Sequence, residues 1–295
     1  MAFMKKSQFY KKLENNFVQC RTCCHYCRLA PGEIGQCQVR KNIKGDLYSL
    51  VYGKIIAQGV DPIEKKPLYE FLPGTFTYSL ATPGCNFSCL HCQNADIAKP
   101  VEIENFINEF AAKEFKPQEI IDQALQYNCQ SISYTYTEPT VFADFALDIM
   151  KQAKKANLKN VWVSNGYFSN EVFTAIKPYL DAVNIDLKTF NDKTYQKICG
   201  AHLEPVKENI KKAVKAKVHT EVTTLLIPEV NDRSEEIKRM AEFLYSVDPK
   251  IVWHISAFYP AYKMIDKPPT DIKTLKKIKK IAKKCGLTKT FLGNI

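Results

Sequence analysis

From residue 75 onward the chain repeats one alternation: a short apolar run, a polar punctuation, then a stretch with helical periodicity. The runs at 75–82, 131–136, 161–163, 182–185, 220–227 and 251–255 read as strands bounded by Gly, Pro, Asn or Asp. Between them, Ile120, Ile121, Ala124 and Leu125 share one face of a helix opening at Pro117, a favourable first helical position. Val141, Phe142, Phe145, Ile149, Met150 and Ala153 share the face of the next. Strands alternating with such helices pair in parallel and carry the helices outside. About six βα units in roughly 225 residues are too few for an eightfold barrel. The predicted fold is therefore α/β: an open parallel (β/α)6 partial TIM-type barrel with a small Cys-rich N-terminal segment. No G-x-G-x-x-G follows the first strand, which argues against a dinucleotide fold.

Residues 1–70 are expected to form the Cys-rich metal-binding segment and its linker, and residues 71–295 the core domain. Within the linker, Pro62, Pro67 and Pro73 punctuate a stretch that reads as lying against the core. In a parallel barrel the working groups collect at the C-terminal ends of the strands. Those ends carry Cys85, Cys89 and Cys92, then Glu138, Asn165, Asp186 with Lys188, and the stretch His254 to Tyr259. Any one could be a cap or turn former, whereas a polar set at the same end of successive strands reads as a site.

The first of these groups is the most specific. Cys85-Asn-Phe-Ser-Cys89-Leu-His-Cys92 follows the turn Pro83-Gly84, so three thiols sit on one tight loop leaving a strand. Three thiolates so placed can converge on one soft metal centre. Iron–sulfur cubanes usually take four protein thiolates, so a cluster held by three leaves one iron open. Zinc prefers four ligands, commonly in two C-x2-C pairs, and fits an odd triple poorly. No catalytic residue is assigned beyond the metal ligands.

The chain has eleven cysteines, and all but Cys129, Cys199 and Cys285 lie within 20–37 and 85–92. In a reducing compartment metal explains such clustering better than disulfides. Cys20, Cys23, Cys27 and Cys37 make a four-ligand set, with Cys24 or His25 as substitutes, in a segment too poor in apolar residues to fold without a staple. Four ligands close a site, so this one is expected to be structural or electron-transferring; zinc and a second iron–sulfur cluster both remain open. Cys285 falls on the stripe Ile272, Leu275, Ile278 and Ala282 and reads as core, as does Cys129.

Hydrophobic content of 45% and charged content of 25% are ordinary for a soluble globular protein. No apolar run approaches bilayer length, and residues 1–10 carry charge without an apolar stretch behind them, so neither a membrane span nor a secretory leader is expected. The expected compartment is the cytoplasm. Much of the net charge of +11 falls on solvent faces such as Lys273-Thr-Leu-Lys-Lys-Ile-Lys-Lys280, without the aromatic interleaving of a nucleic-acid module. Nucleic acid is not an expected partner.

The octapeptide CNFSCLHC resembles the cluster motif of radical SAM enzymes, C-x3-C-x-aromatic-C, with His91 where Phe, Tyr or Trp is commoner. That resemblance implies a [4Fe-4S] cluster on Cys85, Cys89 and Cys92 whose open iron is chelated by S-adenosylmethionine, cleaved reductively to a 5′-deoxyadenosyl radical. Tyr136-Thr137-Glu138-Pro139 stands where these enzymes often carry a Gly-Gly-Glu-like motif that contacts the cofactor's amino group. Asp186-Leu-Lys188 resembles the Asp-x-Lys of enzymes that activate glycyl-radical proteins, and Lys188 would neutralise the methionine carboxylate. The implied cofactor-binding set is His91, Glu138, Asn165, Asp186 and Lys188.

Beyond these, Val51-Tyr-Gly-Lys54, Asp61-Pro-Ile-Glu-Lys-Lys-Pro-Leu68, Cys92-Gln-Asn94, Trp253-His-Ile-Ser256 and Gly293-Asn294 extend the resemblance over nearly the whole chain. It is similar to the pyruvate-formate-lyase-activating-enzyme-like branch, within it to the AmmeMemoRadiSam system radical SAM enzymes. The resemblance implies an anaerobic oxidoreductase with a low-potential electron donor of flavodoxin or ferredoxin type and an unidentified small-molecule or protein substrate. Relatives often continue to further cysteines, whereas this chain stops at Ile295, so any function of such a tail is expected to be absent. A glycyl-radical activase is the alternative; the extra cysteines here precede the cluster motif, whereas in activases with extra clusters they usually follow it. A non-catalytic iron–sulfur electron carrier is the reading from another class, and it has no use for Glu138, Asp186 or Lys188.

Overall fold

The computed structural model describes residues 4–111 and 113–295; residues 1–3, the start of the stretch read as lacking a leader, lie outside it. One eight-stranded sheet dominates, its strands adjacent in chain order. β1 (Ala57–Pro62) pairs antiparallel with β2 (Phe76–Ala81). Parallel pairings then run through β3 (Ser131–Tyr134), β4 (Lys159–Ser164), β5 (Ala182–Asp186), β6 (His219–Leu226), β7 (Val252–Ala257) and β8 (Thr290–Gly293). The six parallel strands expected from the sequence are β2 to β7. The fold is the open, mostly parallel α/β architecture, with β1 and β8 as additional edges.

The strand alternation has a clear cause. Ile132, Tyr134, Trp162, Val183, Ile185, Val222, Trp253 and Ile255 are buried in the main core, against helix residues such as Phe145, Ile149, Ile210, Leu244 and Ile278. Each such side chain, fully buried, contributes about 1.5–3 kcal/mol. The opposite face, which lines the lumen, carries polar Thr77, Ser133, Asn184, Glu221, Thr223 and His254, all buried. Besides helices at Ala95–Ala98 and Ile103–Phe110, the chain forms α1 (Pro117–Gln126), α2 (Ala143–Lys155), α3 (Asn170–Ile176), α4 (Asp192–Cys199), α5 (Leu203–Lys215), α6 (Ser234–Val247) and α7 (Ile272–Lys284). Side chains of Ser169, Asn191 and Asp271 cap α3, α4 and α7, satisfying backbone N–H groups that the helix leaves open. Among the described residues no helix is long and apolar enough to cross a membrane.

The linker does more than lie against the core. Ile63, Leu68 and Phe71 pack on Val161 and Ala182, at the N-terminal end of the lumen. Asn184 donates to the Pro67 carbonyl at 2.7 Å. The N–H groups of Tyr69 and Glu70 donate to the Glu221 carboxylate at 3.1 and 2.9 Å. His254 and His219 complete that carboxylate's partners at 2.6 and 2.9 Å. Burial opposes its ionisation, but these hydrogen bonds prevail and hold its pKa down to about 2. The Tyr69 ring meets His254 and Phe291 edge-on at 4.7 and 5.0 Å. His254 therefore belongs to this lower network rather than to the strand-end site.

The N-terminal segment forms two three-stranded antiparallel sheets around a very small core of Val18, Cys20, Leu29 and Leu47. Arg40 joins it to the barrel. It is wholly buried, with Nε donating to the Val141 carbonyl at 3.1 Å and Nη1 to Ser7 Oγ at 2.7 Å and to the carboxylate of Asp144, on α2.

Candidate active site

The thiol loop, 85–92, leaves the C-terminal end of β2. Gly84 opens it with φ +98°, and a Cβ there would stand 2.5 Å from Val39 Cγ1, so glycine is required. The C-terminal end of α4 then anchors the loop: Ser88 N–H donates to Cys199 O at 2.8 Å and Leu90 N–H to Ile198 O at 2.9 Å. Lys99 Nζ donates both to the Cys85 carbonyl, at 2.6 Å, and to the Gln36 carbonyl, at 2.9 Å. His25 Nε2 lies 2.9 Å from the Asn86 carbonyl.

This loop borders a cavity of about 490 Å³ at the C-terminal ends of the strands. Cys85, Cys89, Cys92, His91, Glu138, Asn165, Asp186 and Lys188 all line it. Residues more than a hundred positions apart are thus brought to one place by the parallel sheet.

Glu138 is 1% exposed, and its carboxylate is held from four sides. Oε1 accepts from Thr140 N–H at 3.0 Å, Thr140 Oγ1 at 2.5 Å and Ser164 Oγ at 2.8 Å; Oε2 accepts from Asn165 N–H at 2.8 Å. Burial nonetheless lifts its pKa above the ordinary value, so a cationic partner would stabilise the carboxylate. Asn165 has both ends of its amide engaged, donating to Asn86 Oδ1 at 2.7 Å and accepting from Tyr167 N–H at 3.0 Å. Its side chain ties Glu138's neighbourhood to the thiol loop.

Lys188 Nζ pairs with Asp186 at 3.0 Å. Burial alone would lower its pKa, but Asp186 prevails and the ammonium is kept well charged. His91 is buried beside it and held neutral, its pKa pushed down to about 3 by burial and then by Lys188.

The three thiols are raised above their ordinary pKa: Cys85 by burial and the Glu138 charge, Cys89 by a hydrogen bond with Cys199 and then burial, Cys92 by burial. Among the described residues no three His, Cys, Asp or Glu side chains already enclose a metal position. The donor set itself suits an iron–sulfur cluster: three soft donors on one loop at the edge of a cavity. Beside them the Nδ1 of His91 and the Nδ2 of Asn86 are buried without partners among the described residues.

Several cavity residues escape sequence reasoning. Lys65 and Lys66 line the cavity from the linker, both bonded to Asp61 at 2.8 and 2.7 Å, and Tyr136 donates to the same carboxylate at 2.6 Å. In the sequence the Lys-Lys pair stands in the proline-punctuated linker read as lying against the core, within the 61–68 stretch that carries the resemblance, and nothing there assigns it to the site. Cys199, read as isolated, meets the thiol loop, its carbonyl accepting from Ser88 N–H at 2.8 Å. Thr223 lines the cavity with a buried, unpartnered Oγ1, and strand alternation could have placed it on the inner face.

A partial parallel barrel with a three-cysteine loop at the C-terminal end of its first parallel strand defines the class. The Radical SAM superfamily profile matches residues 79–244, and the chain belongs to that superfamily. It is similar to Uncharacterized protein MJ0808 of Methanocaldococcus jannaschii, 42% identical over 294 residues, 99% of this chain and 86% of that protein. It is also similar to a putative glycyl-radical enzyme activating enzyme, MJ1632, of the same organism, 24% identical over 225 residues, 74% of this chain and 78% of the other. Among solved structures, a domain of pyruvate-formate lyase-activating enzyme from Bacteroides vulgatus superposes with a TM-score of 0.50 at 20% identity, covering 56% of this chain and 99% of that one. At that identity the likeness speaks for the fold.

Proposed function

We propose that the chain is an enzyme that binds a [4Fe-4S] cluster through Cys85, Cys89 and Cys92 and S-adenosylmethionine in the adjoining cavity. Together these groups supply a 5′-deoxyadenosyl radical able to take a hydrogen atom from a substrate. The observation that carries this reading is the convergence of the three thiols, the Glu138 carboxylate and the Asp186–Lys188 pair on one cavity. Glu138, short of a cation, is suited to an ammonium group by a charge-assisted hydrogen bond. Lys188, held charged by Asp186, is suited to a carboxylate. An amino-acid head carries both groups. Burial of His91 restricts water at the same spot.

On this reading the protein works in the cytoplasm without oxygen, takes electrons from a low-potential flavodoxin- or ferredoxin-type donor, and modifies a small-molecule or protein substrate, as the AmmeMemoRadiSam resemblance implies. Glycyl-radical activation is the second reading, favoured by the name of the M. jannaschii relative MJ1632. The test is anaerobic reconstitution with iron and sulfide, then dithionite and S-adenosylmethionine, with 5′-deoxyadenosine measured. An intact cluster spectrum without 5′-deoxyadenosine would overturn the enzymatic reading in favour of an electron carrier.

A further inference from the structure

Four more thiols lie at the junction of the N-terminal segment and the barrel. Cys20 N–H donates to the Cys27 carbonyl at 2.9 Å and Tyr26 N–H to the Cys23 carbonyl at 3.1 Å, folding three cysteines into one knuckle. A turn brings in the fourth: Gln38 N–H donates to Gly35 O at 2.8 Å and Gly35 N–H to Arg40 O at 2.7 Å. That turn lies against the knuckle, since a Cβ on Gly35 would sit 3.9 Å from Cys27 Sγ. Cys20, Cys23 and Cys37 are all buried at this junction. The sequence alternatives face elsewhere, Cys24 Sγ 3.3 Å from the Phe168 carbonyl and His25 on Asn86.

Arg40 is the independent observation. Its Nε and Nη1 are bonded, but Nη2 is buried with no acceptor among the described residues. Arg40 springs from the knuckle's own turn, since a Cβ on Gly35 would sit 3.8 Å from Arg40 Cβ and 3.9 Å from Cys27 Sγ. A buried guanidinium N–H without an acceptor is costly, and the guanidinium charge favours a negatively charged group at this junction. The segment's four-residue core adds the need for a staple.

We propose that Cys20, Cys23, Cys27 and Cys37 are thiolate ligands of one tetrathiolate metal centre and that Arg40 is the buried cation answering its charge. Four thiolates around a divalent ion leave two negative charges, and four thiol protons pass to solvent as the ion binds. Arg40 offsets part of that charge and, through Asp144 on α2, fastens the centre to the barrel. Zinc and an iron–sulfur cluster share this ligand chemistry. The site does not depend on the reading of the barrel cavity.

The test separates the two sites. Full-length protein carrying Cys85→Ala, Cys89→Ala and Cys92→Ala is isolated anaerobically, its zinc, iron and sulfide are measured, and its cysteines are mapped by alkylation. One zinc per chain, or iron and sulfide in equal amounts, with Cys20, Cys23, Cys27 and Cys37 protected, supports the centre and names its metal. No stoichiometric metal, with those four cysteines alkylating as fast as Cys285, overturns it. Should the triple variant not fold, Cys23→Ser in the otherwise native chain serves: metal content must fall by the N-terminal complement, and an unchanged content refutes the assignment. Arg40→Gln should speed metal release to a chelator roughly 10–100-fold, in line with the loss of an outer-shell partner; an unchanged rate removes Arg40 from the site.

Discussion

Gly84 and Cys37 are in direct backbone contact: a Cβ on Gly84 would lie 2.9 Å from the Cys37 carbonyl oxygen. The thiol loop of the barrel therefore starts on the N-terminal segment. Gly84→Ala has to relieve this clash and a φ of +98° together, and is expected to cost about 2–4 kcal/mol. Gly74→Ala is the control, with φ +76° but nothing within 4 Å, and should cost only about 1 kcal/mol. Denaturant midpoints compare the two; equal losses would mean that the contact is not tight in solution.

Cys89→Ala should reduce 5′-deoxyadenosine formation to background and remove the cluster's iron while the N-terminal metal stays. Iron analysis decides the matter. Unchanged iron in this variant would mean that the loop does not hold a cluster.

Glu138→Gln replaces one acceptor oxygen by an NH2 group that faces the donors on Thr140, Ser164 or Asn165. The loss of charge is expected to weaken S-adenosylmethionine binding by about 2 kcal/mol, roughly thirtyfold. Isothermal titration of the reconstituted variant measures it, and native-like affinity would remove Glu138 from the cofactor site.

The Glu221 carboxylate gives a pH signature. Its pKa falls from an ordinary 4.5 to about 2 in the fold. A depressed carboxylate contributes stability that is present above its unfolded pKa and is lost as pH falls through its folded one. Unfolding free energy should therefore drop by up to about 3 kcal/mol between pH 4.5 and 2. Glu221→Gln should be less stable at pH 7 and should lack that part of the slope in chemical denaturation at pH 7, 4.5 and 3.

The parallel strands were legible because their outer faces repeat Ile, Val and Trp at period two, as Val183 and Ile185 do. β1 was not: Gln58, Gly59, Asp61 and Pro62 dilute its pattern, and as an edge strand it pairs only with β2. The cysteine loop and the strand-end carboxylates announced themselves by residue type and position. Partners fixed by tertiary contact did not. Tyr69 and Glu221 are bonded across 152 positions, Arg40 is buried against Asp144 104 positions away, and Cys199 had no neighbour in sequence to mark it.

The linker that fills the N-terminal end of the lumen also bears on traffic. With Ile63, Leu68 and Phe71 seated there and Lys65 and Lys66 on the cavity wall, a cofactor bound as proposed and its substrate would both enter from the C-terminal end of the strands. A blind pocket loads in sequence: the deeper occupant arrives first and departs last. Turnover would then follow a compulsory order, with the outer molecule acting as a stopper on the inner.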